Sequence, residues 1–272
     1  TGQDKKLSNI SDDLLQSEIL GVDTEFIRET TYFPKLALIQ FSTKYNNYII
    51  DTQSITSTSL LVDILTDDKK LKVLHSAKQD LETIHTYFGC FPKNIFDTQI
   101  AFNLISISMN PSYSSLVKQN FSIDLKEGSW RTDWLKRPLS EEKIEYAAND
   151  VKYLIALYKN LRERVSSLHR LDWLEEEHQN ELSMNKIIID PFDAWNRITI
   201  PINLDNKQRL NVRSIAAWRE VTAKNTDIPK KWILTDGEII KLSCAKADHI
   251  DTILDKTKKK IPESYKENII ML

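Results

Sequence analysis

Four apolar, β-branched segments crowd the first 75 residues: Ile19–Phe26, Leu36–Ser42, Asn47–Asp51 and Leu71–His75. Their length and residue types read as strands. Thr43-Lys44-Tyr45-Asn46 joins the second to the third and suits a hairpin. Helical segments punctuate the rest. Leu60–Leu65 precedes the fourth strand, Asp80–Phe88 follows it, and Asn94–Phe96 makes a short fifth strand ahead of a helix that Asp97 can cap. A hairpin followed by strands alternating with helices closes into a mixed sheet with helices packed on it, so the expected class is α/β.

From Tyr113 onward helical periodicity dominates. The clearest helix opens after Pro138-Leu139-Ser140, with Ser140 as cap and Glu141 and Glu142 in the first turn, where the macrodipole favours acids. Ile144, Ala147, Ala148, Val151, Leu154, Ile155, Tyr158 and Leu161 then recur at steps of one or three residues, tracing one apolar face. Asp190-Pro191 and then Pro201 mark a linker, expected at 191–204 between a domain of residues 1–190 and a small all-helical domain at 205–272. In the latter, Val212, Ile215 and Trp218 are spaced by three, and Thr235-Asp236-Gly237-Glu238 forms a capping box.

The longest apolar run, Tyr153–Tyr158, is far too short for the roughly 20 residues of a membrane span. TGQDKKLSNISDD carries no apolar stretch of the signal-peptide kind, so no leader is expected. Two cysteines, Cys90 and Cys244, make neither a disulfide framework nor a thiolate metal site, which fits a reducing, cytoplasmic setting. The net charge of −2 divides unevenly: residues 1–204 carry −6 and residues 205–272 carry +4. An acidic body argues against electrostatic wrapping of nucleic acid and leaves room for cations held between carboxylates. Five glycines with no phosphate-cradling loop exclude nucleoside-triphosphate hydrolysis.

Asp23 and Glu25 lie two apart on the first strand and project to one face. With 39 acids in the chain such pairs arise by chance, but this strand is otherwise apolar, and buried acids need either basic partners or metal. Tyr146 and Asp150, four apart on the Ser140 helix, share a flank beside its apolar face. Asp80 follows the fourth strand, at the carboxyl end where sites in open α/β sheets collect. It could equally be a helix-start acid serving the dipole. Arg131, Trp134 and Arg137 combine charge and aromatic area, as a single-strand groove would, or dock their loop on the sheet. His75 and His85 read as structural histidines.

Five stretches in order, VDTEFIRETTYFPKLALIQFS, LHSAKQDLETI, FDTQIAF, RTDWLKRPLS and EEKIEYAANDVKYL, resemble ribonuclease D, of the DEDD 3′–5′ exonucleases whose last motif carries tyrosine. The likeness spans about residues 19–170. NVRSIAAWREVTAKNTDIPKKWIL resembles the helical HRDC domain found beside such enzymes.

The resemblance implies an RNase H-like first domain with Asp23, Glu25, Asp80 and Asp150 as ligands of two Mg²⁺ or Mn²⁺ ions, and Tyr146 as the residue that orients the attacking water. It places Phe26 against the terminal nucleotide. Arg131 and Trp134 are kept as candidate substrate contacts. The activity implied is release of nucleoside 5′-monophosphates from single-stranded RNA 3′ ends, with tRNA precursors the candidate substrate, by a monomer without membrane attachment. Its alternatives are a DNA 3′–5′ exonuclease using the same site and a non-catalytic RNA-binding module.

Overall fold

The structure is a computed structural model that describes residues 10–107, 109–125 and 132–245. Contacts divide it into two units: residues 1–27 with 34–187, and residues 28–33 with 188–272.

The first unit is built on a five-stranded sheet of order β3-β2-β1-β4-β5. Its strands are β1 (Ile19–Ile27), β2 (Lys35–Ser42), β3 (Asn47–Asp51), β4 (Leu71–Leu74) and β5 (Ile95–Asp97). β1 to β3 are antiparallel neighbours, whereas β4 and β5 run parallel to β1. The mixed α/β sheet expected from the strand pattern is therefore present. Helices α1 (10–16), α2 (Ser59–Thr66), α3 (Lys78–Phe88), α4 (Thr98–Asn103), α5 (Tyr113–Phe121), α6 (Glu141–Lys152), α7 (Leu154–Ser167), α8 (Leu171–Glu181) and α9 (Met184–Ile187) complete the unit.

Two features of β1 open a cleft. It pairs with β4 only over Ile19, Leu20 and Gly21, so Asp23–Ile27 continue past the end of β4. Against β2 the register slips between Glu25 and Phe26: Glu25 faces Leu38 and Phe26 faces Leu36, leaving Ala37 as the extra residue. Such bulges bend a strand and re-aim its side chains. The carbonyl of Ala37 is not orphaned, because the Thr52 N–H and hydroxyl donate to it at 3.2 and 3.0 Å.

The Ser140 helix is two helices. Ser140 caps α6 through the Lys143 N–H as expected, but α6 stops at Lys152 and α7 begins at Leu154. Ile144, at the start of the expected apolar face, is exposed, while Ala147, Val151, Leu154, Leu157 and Leu161 are buried.

The second unit contains a 3₁₀ helix, Pro191–Arg197, then α10 (Asn206–Thr226), α11 (Lys230–Ile233) and α12 (Asp236–Ser243). Its described residues from 205 to 245 are mainly helical, the rest of the expected 205–272 domain lies outside the described residues, and both Asp205 and Thr235 make capping boxes. The linker placed at 191–204 is corrected: Ala194, Ile198 and Leu204 are core residues of this unit, packed with Val212, Ala216 and Ile239. Asp190-Pro191 breaks the chain by starting a helix, since the Asp190 carboxylate caps Phe192 and proline suits the first turn. Tyr32 also belongs to this unit, buried in its core with its hydroxyl donating to Glu220 at 2.5 Å.

Candidate active site

A cleft of about 330 Å³ lies at the carboxyl end of the parallel strands, lined by Asp23, Glu25 and Phe26 of β1, His75 and Asp80 after β4, Tyr113 of α5, and Tyr146 and Asp150 of α6. Asp23, Glu25 and Asp150 each offer a carboxylate oxygen within 4.8 Å of the others. Acids from two distant segments thus converge through strand alternation on β1 and the helical flank of α6. Asp80 reaches the same cleft and is buried, its carboxylate accepting the Thr24 hydroxyl at 2.6 Å.

The electrostatics of this cluster are unfavourable by themselves. Burial, then the charges of Asp80, Asp150 and Glu25, push the Asp23 carboxyl well above its ordinary range. Burial together with Asp150 and Asp80 carries Glu25 up to about 9. Asp80 and Asp150 are raised to about 7, mainly by burial, with the hydroxyls of Thr24 and Tyr146 pulling the other way. No lysine or arginine lines the cleft among the described residues, so the basic partners that would make these acids a structural ion-pair network are missing. Divalent cations would supply the charge. The donor set is all oxygen, which suits Mg²⁺ or Mn²⁺. The residues therefore fit a metal centre, with Asp23, Glu25 and Asp150 at its heart and Asp80 beside them.

The other expected site residues divide. Tyr146 faces the cleft, and burial with the charges of Asp150, Glu25 and Asp23 raises its pKa, which keeps it a neutral donor. Phe26 lines the cleft beside Glu25. Trp134 is corrected as a substrate contact: it is 2% exposed and packs among Ala37, Leu38 and Ala147, with its ring 6.0 Å from that of Tyr146. Its aromatic face is spent inside the protein. Arg137 likewise docks its loop, gripping Asp51 with two nitrogens at 2.6 and 2.7 Å. Arg131 lies outside the described residues.

Two residues of the cleft, Thr24 and Tyr113, escaped sequence reasoning. Thr24 was hidden because alternation points it away from its acidic neighbours. Tyr113 sits alone at a helix start, with no motif to flag it. His75, read as structural, is so: its ring meets the Thr98 hydroxyl at 2.9 Å and the Pro111 carbonyl at 3.1 Å, yet it also walls the cleft. Asp97 caps α4 as expected and additionally accepts the Ser76 and Ala77 N–H groups that lead into α3.

A family model described as 3′–5′ exonuclease matches residues 2–166, more than half of the chain. The chain belongs to the 3′–5′ exonuclease family. Among curated proteins the chain is 34% identical over 242 residues to ribonuclease D of Xanthomonas oryzae pv. oryzae, covering 88% of this chain and 66% of that one. It is 34% identical over 235 residues to ribonuclease D of Sphingobium indicum, covering 85% and 60%. The chain thus spans under two thirds of these relatives. Among solved structures it superposes on Escherichia coli RNase D, described as an exoribonuclease involved in structured RNA processing, with a TM-score of 0.85 and 28% identity over 98% of this chain and 72% of that one. The RNase H-like fold expected for the first unit follows from this match. No described helix is long and apolar enough to cross a membrane.

Proposed function

We propose that this exonuclease is a divalent-cation-dependent 3′–5′ exoribonuclease that trims single-stranded RNA 3′ ends, tRNA precursors among them, and releases nucleoside 5′-monophosphates. The observation that carries the reading is the convergence of Asp23, Glu25 and Asp150 oxygens within 4.8 Å in a cleft whose described lining holds no lysine or arginine. The ribonuclease D relatives supply the choice of RNA.

Asp23, Glu25, Asp80 and Asp150 would hold two Mg²⁺ or Mn²⁺. Cations bound there would supply positive charge to stabilise an in-line displacement at phosphorus. Tyr146 orients the attacking water by hydrogen bonding, because a phenol whose pKa is pushed above its ordinary value near 10 is a poor general base. Phe26, which lines the cleft, would contact the terminal nucleotide. The second unit, with HRDC-like helices, would hold the RNA, and the chain would act as a monomer.

Parallel digestion of matched single-stranded RNA and DNA, with Mg²⁺ or Mn²⁺ and with chelator, tests this. The expected result is metal-dependent shortening of RNA from the 3′ end, with mononucleotide products lost in Asp23→Asn. Faster digestion of DNA would reassign the substrate. RNA binding without cleavage would make the chain a non-catalytic binding module.

A further inference from the structure

The helical stretch carrying Asp150 is interrupted three residues beyond it. In an unbroken helix the Tyr153 N–H would donate to the Asn149 carbonyl. Tyr113, the first residue of α5, stands in that gap. Its hydroxyl donates to the Asn149 carbonyl at 2.9 Å and accepts the Tyr153 N–H at 3.0 Å. The Tyr153 N–H otherwise turns to Val151 O, at the α6 terminus. A side chain inserted into the helical ladder is a known cause of a sharp bend.

The carbonyl on the other side of Asp150 is tied as well. The Ser42 hydroxyl, from β2, donates to Val151 O at 2.8 Å. Gly21 of β1 permits this approach: a Cβ there would sit 2.2 Å from Ser42 Oγ and 3.1 Å from Val151 O. Two hydroxyls from outside the helix therefore hold the two peptide carbonyls that flank Asp150.

We propose that Tyr113 is a positioning residue for Asp150: its hydroxyl wedges α6 from α7 and, with Ser42, aims the Asp150 carboxylate at Asp23 and Glu25. The inference rests on the cation-binding reading of that cluster. Productive sites tolerate only about 0.5 Å of misplacement. Without the wedge, Asn149 O and Tyr153 N–H are free to bond each other, and the straightened helix carries Asp150 with it. Phenylalanine keeps the ring that lines the cleft and removes only the wedge.

The experiment is a calorimetric Mn²⁺ titration of the wild type, Tyr113→Phe, Ser42→Ala, Asp150→Asn and the Tyr113→Phe/Asp150→Asn double variant, with urea midpoints recorded alongside. A crystal structure of Tyr113→Phe accompanies it. Groups that orient metal ligands commonly contribute about 10–100-fold in affinity. Tyr113→Phe should weaken Mn²⁺ binding by about tenfold, add nothing in the Asp150→Asn background, and show the 149–153 hydrogen bond closed. Unchanged affinity in Tyr113→Phe, or an equal further loss in the double variant, would overturn the proposal. If Tyr113→Phe does not fold, Ser42→Ala is read in its place, and wild-type affinity there overturns it too. A wild type that binds no Mn²⁺, matched by all four variants, would instead remove the metal centre itself and the inference with it.

Discussion

Thr24 and Asp80, 56 residues apart, meet in a buried hydrogen bond of 2.6 Å in which the threonine hydroxyl donates to the carboxylate. Thr24 stands between Asp23 and Glu25, so three consecutive residues of one strand supply two of the cleft's acids and bond a third, Asp80. The bond holds down the pKa of Asp80 against burial, which still carries it to about 7. Thr24→Val preserves shape and deletes the donor. Asp80 should then titrate higher. Ligation requires the anion, so Mn²⁺ affinity should fall more steeply between about pH 8 and about pH 6 than in the wild type. Calorimetric titrations at both values measure this, and parallel profiles would show the bond to be irrelevant to the centre.

The four raised carboxylates make a second prediction, about the metal-free protein. Asp80 and Asp150 near 7 and Glu25 near 9 bind protons more tightly folded than unfolded, where ordinary values are 3.8 and 4.5. A group raised on folding contributes stability below its unfolded pKa and loses it as pH rises through its folded value. In EDTA the thermal midpoint should therefore drop as pH rises from about 5 to about 9, and Asp23→Asn should reduce that drop. Saturating Mg²⁺ should flatten the same curve, because the cations replace the protons. Differential scanning calorimetry across pH, with and without Mg²⁺, decides it. Curves that coincide in EDTA and Mg²⁺ would argue against a shared cation site.

Tyr146→Phe separates positioning from ligation. Only the hydroxyl leaves, and the ring keeps its packing near Trp134. The rate on RNA should fall by about 10²–10³, in the range for loss of one well-placed hydrogen-bonding group. Mn²⁺ affinity should stay close to that of the wild type. A rate loss matched by lost affinity would move Tyr146 from orienting water to shaping the metal centre.

What was legible in the sequence is what strand and helix periods encode. All five strands lie within two residues of their expected bounds, because apolar, β-branched runs bounded by polar turns have few other readings. Asp23 and Glu25 were visible as costly acids on an apolar strand. The break at Tyr153 was not, since Val151, Leu154 and Leu157 keep their three-residue spacing across it and the agent of the break lies 40 residues upstream. The loop around Trp134 misled for a related reason. Arginine and tryptophan suit a nucleic-acid groove and a buried dock equally, and only the partner, Asp51 on β3, distinguishes them.

That dock gives its own test. Arg137 also donates to the Trp134 carbonyl at 2.6 Å, so one guanidinium ties the loop both to itself and to β3. Asp51 and Arg137 side chains are 21% and 26% exposed, which leaves solvent screening modest. Lysine cannot reproduce the fork. Arg137→Lys should lower stability by about 1–2 kcal/mol in urea denaturation, the range of a charge-assisted bond lost in a partly buried place. RNA affinity should remain near wild type. A selective loss of RNA binding with unchanged stability would return Arg137 to the substrate groove.

Truncation after Ile187 asks whether the second unit is a detachable RNA-holding module. A detachable module would leave cleavage of a dinucleotide untouched. The chain argues otherwise, because residues 28–33, which follow directly on β1, belong to the second unit. There Tyr32 is buried, bonded to Glu220, and Asp227 accepts the Phe33 N–H at 2.9 Å. Truncation removes those partners and leaves the β1–β2 connection unsupported a few residues from Glu25 and Phe26. The truncated protein should therefore lose thermal stability and Mn²⁺ affinity as well as long-RNA binding. Burying one tyrosine is worth about 2–3 kcal/mol. Tyr32→Ala in the full chain should reproduce part of the Mn²⁺ loss. If the truncated protein cleaves a dinucleotide at the full rate and keeps its Mn²⁺ affinity, the hairpin tip has no hold on the metal-bearing strand.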